Sequence, residues 1–165
     1  MFKTLRTPLI LFLLSSPLIF LDLYSKHLAH KHITSEDKEI VLSENIVLVI
    51  PLINKGWALQ DPDTVTIWTT ISRNIALSFL SIFFLLGALE GGTLYERIPC
   101  TVLRSGMLAN TIDALFFDGV TDFILLNSIG GIANIADLYL FFGGVTFILS
   151  QTIPLLYIII RNKII

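Results

Sequence analysis

The stretch from Met107 to Phe142 places Asn110, Asp113, Asp118, Asp122, Asn134 and Asp137 among Leu, Ile and Phe. In apolar surroundings an ionised carboxylate is costly, so such groups call for a purpose. Asp122, in Val-Thr-Asp-Phe, and Asp137, in Asn-Ile-Ala-Asp, lie at the mouths of two apolar segments joined by a short loop containing Gly130-Gly131. The two acids could therefore face one another. Two carboxylates a few ångströms apart in a low-dielectric site cannot both ionise, so the pair would carry one shared proton near neutral pH. The ionised member could then take a proton from water while the protonated member hydrogen-bonds a peptide carbonyl, which is the chemistry of peptide-bond hydrolysis. Spacing alone leaves another reading open, in which both are helix N-caps or loop charges at a headgroup boundary.

The elements that must position these groups are those of an integral membrane protein. Of 165 residues, 54% are hydrophobic and 15% charged, and the mean hydropathy is +0.79, which does not suit a soluble surface. A net charge of −2, with no long Lys/Arg run, gives no footprint for nucleic acid. Cys100 is the sole cysteine, so neither a disulfide framework nor a zinc set is expected. His27, His30 and His32 read as a solvated polar loop beside Lys26 and Lys31 rather than a metal site. No metal and no cofactor is expected.

Lys3 and Arg6 precede an apolar run from Pro8 to Tyr24, long enough to cross most of a hydrocarbon core. It reads as a span rather than a cleavable signal, because it continues past Ser15-Ser16-Pro17 into Asp22 and Lys26 without a small-x-small site. Asp22 and Lys26, four apart, share a helical face. Residues 30–63 form a small extracytoplasmic β element around Ile46–Ile50, then a turn at Asn54-Lys55-Gly56-Trp57-Ala58, with an interfacial helix between Trp57 and Trp68. A second span runs from Trp68 to Leu89, with Arg73 snorkelling to the headgroups. A third, Pro99 to Phe117, is interrupted by Arg104, Asn110 and Asp113; Ser105, Gly106 and Ala109 would allow close helix packing. The last runs from Ile135 to Ile160. The expected fold is thus an all-α membrane protein in one domain, residues 1–165, a four-transmembrane-helix bundle with that β element. Lys3, Arg6, Arg97, Arg161 and Lys163 then flank one face, making both termini cytoplasmic, while Asp22, Lys26, Asn54, Asp113, Asp122 and Asp137 gather near the outer leaflet.

These residues resemble the lipoprotein signal peptidases, or signal peptidase II, four-span aspartic peptidases of the bacterial inner membrane. The likeness covers nearly the whole chain: Asp22 with Lys26, Asn54-x-Gly56-x-Ala58, Asn110-x-x-Asp113, Val120-x-Asp122-Phe123 and Asn134-x-Ala136-Asp137. It implies that Asp122 and Asp137 are the catalytic pair, and that Asp22, Lys26, Asn54, Gly56, Asn110, Asp113, Asn134 and Ala136 shape the site and hold substrate. It further implies a prolipoprotein substrate carrying a diacylglyceryl group, cut just before the lipidated Cys, with membrane lipids as surroundings and globomycin as inhibitor. A monomer is expected. Ala114 stands where the family usually carries Arg, Ala109 and Asp118 where it carries Gly, and Leu59 where it carries Phe.

Two other functions fit parts of the pattern. A proton-coupled transporter would use intramembrane carboxylates as relays, but it predicts acids near mid-membrane and an internal repeat, and neither is visible. A catalytically impaired, lipoprotein-binding scaffold is the reading that Ala114 leaves open.

Overall fold

Helix α3 (Leu94–Phe117) is the element against which α1 (Phe2–His32), α2 (Ile67–Glu90) and α4 (Ile135–Ile164) all pack. The computed structural model describes residues 2–34, 39–56, 65–90, 94–117 and 119–164. Close packing of α3 follows from its small residues. A Cβ on Gly106 would sit 2.7 Å from the carbonyl oxygen of Ala136 and 3.2 Å from Leu140, so only hydrogen fits where α4 begins. Ser105, Ala109 and Ala136 are fully buried around that contact. Hydroxyls inside α3 return to their own helix: Ser105 donates to Thr101 O at 2.8 Å and Thr111 to Met107 O at 2.8 Å, which satisfies them without a partner element. Arg104, half-buried, donates to Ser15 Oγ of α1 at 3.1 Å.

Among the described residues two stretches, Trp68–Gly87 in α2 and Ile135–Asn162 in α4, are long and apolar enough to cross a membrane, and few of their side chains are buried in the protein. Apolar side chains such as Phe79, Phe83, Ile148 and Leu156 point outward, the surface that a hydrocarbon surrounding satisfies.

An antiparallel sheet of order β1-β2-β3-β4 closes one end of the helices. It is formed by β1 (Ile40–Ser43), β2 (Ile46–Asn54), β3 (Val120–Leu126) and β4 (Gly131–Ala133). The β element expected at residues 30–63 is therefore completed by two later strands from the acid-bearing stretch. β3 escaped the sequence reading because it is buried on both faces from Val120 to Ile124; its apolar run lacks the in–out alternation that marks a half-exposed strand. Asp122 pairs with Leu52 and Val120 with Asn54, after a register shift between Leu48 and Leu52. The β3–β4 turn ends at Gly130, whose φ of +64° is a conformation glycine adopts without steric cost.

The histidine patch is helical, not a loop. Ala29 and Ile33 pack with Phe123 and Ile124 in a core that Leu48, Ile50, Leu126 and Ile135 extend, so the sheet holds the last turns of α1 in place. Trp57, Ala58, Leu59, Asp118 and most of the expected interfacial helix lie outside the described residues.

Candidate active site

Asn134 caps α4. Its Oδ1 accepts the N–H of Asp137 at 2.9 Å, and Asp137 Oδ2 accepts the N–H of Asn134 at 3.2 Å, a reciprocal cap that satisfies two otherwise unpaired donors. The cap thereby orients the Asp137 carboxylate. The Asn134 side-chain amide, in turn, donates to Asp122 Oδ1 at 2.6 Å. One residue thus holds both acids, Asp122 from β3 and Asp137 from the first turn of α4.

The other carboxylate oxygens are held by amides from two further elements. Asn54, at the end of β2, donates to Asp122 Oδ2 at 3.1 Å and accepts the Gly56 N–H at 3.0 Å. Asn110, on α3, donates to Asp137 Oδ1 at 3.0 Å. Behind Asn110 sits Lys26, 2% exposed. Its ammonium reaches Asn110 Oδ1 at 2.9 Å, Asp22 Oδ2 at 2.8 Å and Asp113 Oδ2 at 3.2 Å, one acceptor for each of its three protons. Asp22 Oδ1 takes the Ala136 N–H at 2.7 Å, a second acid on the buried donors of the α4 N-terminus, which the helix itself cannot satisfy. Asp113 takes the Thr121 N–H at 2.6 Å and so fixes the strand position next to Asp122.

Burial pushes the Asp122 carboxyl up from 3.8 to about 6, and the neighbouring Asp137 charge adds to the rise. The hydrogen bonds from Asn54 and Asn134 and the field of Lys26 oppose it. A carboxyl tuned toward neutrality beside a second one is what general acid–base work requires.

The structure joins Asp22, Lys26, Asn54, Gly56, Asn110, Asp113, Asn134 and Ala136 to the two aspartates through this one network. Two members were not anticipated. Thr121 contributes its backbone N–H, which no side-chain pattern could reveal. Arg73, expected to snorkel outward, is instead 5% exposed, and its Nη1 donates to Asn54 O at 2.8 Å and Gly56 O at 2.6 Å. Bonding to backbone carbonyls of the β2 turn costs less than leaving the charge in hydrocarbon, and carbonyl partners leave no mark in sequence. Ala114 is buried beside Asp113.

The sequence pattern of the peptidase A8 family, signal peptidase (SPase) II, matches residues 14–153. The chain belongs to the signal peptidase II family. Two solved structures, both described as a bacterial membrane enzyme, share its fold: one at TM-score 0.72 and 21% identity, covering 87% of each chain, and one at TM-score 0.74 and 21% identity, covering 86% of this chain and 92% of the other. A search of curated protein sequences returned no match. The matched range of this signal peptidase II chain contains all the residues that hold Asp122 and Asp137.

Proposed function

We propose that the chain is an aspartic endopeptidase of the bacterial inner membrane that removes the signal peptide from diacylglyceryl-modified prolipoproteins, cutting before the lipidated Cys. The observation that carries this reading is the double hold of Asn134 on Asp122 and Asp137. One member of the pair keeps the shared proton and donates to the scissile carbonyl, while the ionised member takes a proton from water. Water adds to carbon, the tetrahedral species forms, and its C–N bond breaks as a carboxyl proton passes to the leaving amine. Eight residues, Asp22, Lys26, Asn54, Gly56, Asn110, Asp113, Asn134 and Ala136, shape the site around the substrate.

All four helices span the bilayer in this reading, in one domain with both termini cytoplasmic and the sheet at the outer surface. Acyl chains of the substrate then lie in lipid against the helices and fix the depth at which the peptide bond meets the acids. The protein acts as a monomer and is inhibited by globomycin. Family membership and the gathering of the acids at the sheet favour hydrolysis over proton-coupled transport. Incubating the purified protein with a diacylglyceryl-modified precursor and with its unlipidated form tests the proposal. Cleavage before the Cys of the lipidated form alone, blocked by globomycin, is expected; no cleavage of either form would overturn it.

A further inference from the structure

Arg73 holds more donors than its surroundings use. Its Nη1 is spent on the carbonyls of Asn54 and Gly56. Nε and Nη2 are buried and, among the described residues, have no acceptor, an arrangement that is costly until an acceptor arrives. The guanidinium lies within Coulombic range of Asp122 and Asp137, yet the bonds to both carboxylates come from Asn54, Asn110 and Asn134. The unused N–H groups therefore serve something other than the acids. Asp22, Asp113, Asp122 and Asp137 outnumber Lys26 and Arg73 in this network, so an anion is disfavoured and a neutral acceptor favoured.

We propose that Arg73 is a substrate-binding residue, whose Nε and Nη2 donate to a backbone carbonyl of the peptide lying beside Asp122 and Asp137. The assignment rests on the peptidase reading. Fastening one arm of the guanidinium to the β2 turn fixes the other two donors in advance, so little rotamer freedom is lost when the peptide binds. The same arm ties substrate contact to Asn54, which holds Asp122.

The test is steady-state cleavage of a diacylglyceryl-modified precursor by the full chain and by Arg73→Lys. Lysine keeps a charge and can reach the turn carbonyls, but lacks the fork. A KM raised about 10-fold or more is expected, with kcat within about threefold, since charge-assisted bonds to bound peptide are lost. Precursors carrying a single thioamide near the scissile bond, a poorer acceptor, supply the second readout. One position is expected to weaken binding to the wild type and not to Arg73→Lys. An unchanged KM, or equal thioamide penalties in both enzymes, would overturn the assignment. So would a loss confined to kcat with a displaced pH profile, which marks Arg73 as an anchor of the turn only. Should Arg73→Lys melt below the wild type, Arg73→Gln is measured under the same criteria. A wild type that leaves the precursor uncut would instead overturn the peptidase reading.

Discussion

Asn134 lies 2.6 Å from Asp122 through its side-chain amide, although the two belong to different elements. The same residue caps α4 and so sets the rotamer of Asp137. The distinction between a helix cap and a site residue therefore dissolves here: the cap is the device that points both acids inward.

Lys26 is the hub of the buried polar network. Removing its charge would leave Asp22 and Asp113, both at most 1% exposed, without their cation, and an uncompensated buried charge costs about 3–5 kcal/mol. Lys26→Met is expected to melt well below the wild type and to lose cleavage, because Asn110 and the start of α4 lose their support together. A melting temperature within a degree or two of the wild type would contradict the network's structural role.

Gly106 is where α3 meets the beginning of α4. Alanine there drives Cβ against the Ala136 carbonyl, a backbone atom that cannot swing aside, and overpacking of this kind costs about 1–3 kcal/mol. Gly106→Ala is expected to lower activity more than stability, since the shift falls one residue from Asp137. Comparing kcat/KM with detergent melting checks this; unaltered cleavage would show that the acids tolerate displacement.

Asp122 gives a pH signature whose sign follows from its carboxyl lying near 6 rather than 3.8. The folded protein binds that proton more tightly than the unfolded chain. The resulting stabilisation is fully present below the ordinary value and is lost as pH rises through about 6, on the order of 3 kcal/mol. Asp122→Asn cannot ionise and escapes the loss, although its amide nitrogen meets a donor from Asn54 or Asn134 and forfeits one hydrogen bond, about 1 kcal/mol. Melting from pH 4 to 8 is expected to show the variant gaining on the wild type as pH rises. Parallel curves would contradict the assignment. Cleavage by the wild type should also decline on the alkaline side as the pair loses its shared proton.

The apolar runs of α2 and α4 were legible because no charged residue interrupts residues 74–87 or 138–160. The network residues were legible as types and spacings, since carboxylates and amides in apolar company stand out. β3 was not, because a strand buried on both faces shows neither the period of a strand nor the length of a helix. The end of α1 read as a solvated loop because Lys26, His27 and Lys31 dominate its composition; contacts of Ala29 and Ile33 with Phe123 and Ile124, about ninety residues away in the chain, decide it instead. Arg73 was misread for the same kind of reason, its partners being carbonyls 17 and 19 residues distant.

The most direct test of the aspartate pair is the rate at which purified Asp137→Asn cleaves a diacylglyceryl-modified precursor, measured beside its melting temperature. Asparagine preserves the size of the side chain but cannot accept the proton of water. A folded protein with cleavage reduced by about a thousandfold or more is the predicted result. Near-normal cleavage by that variant would contradict the account.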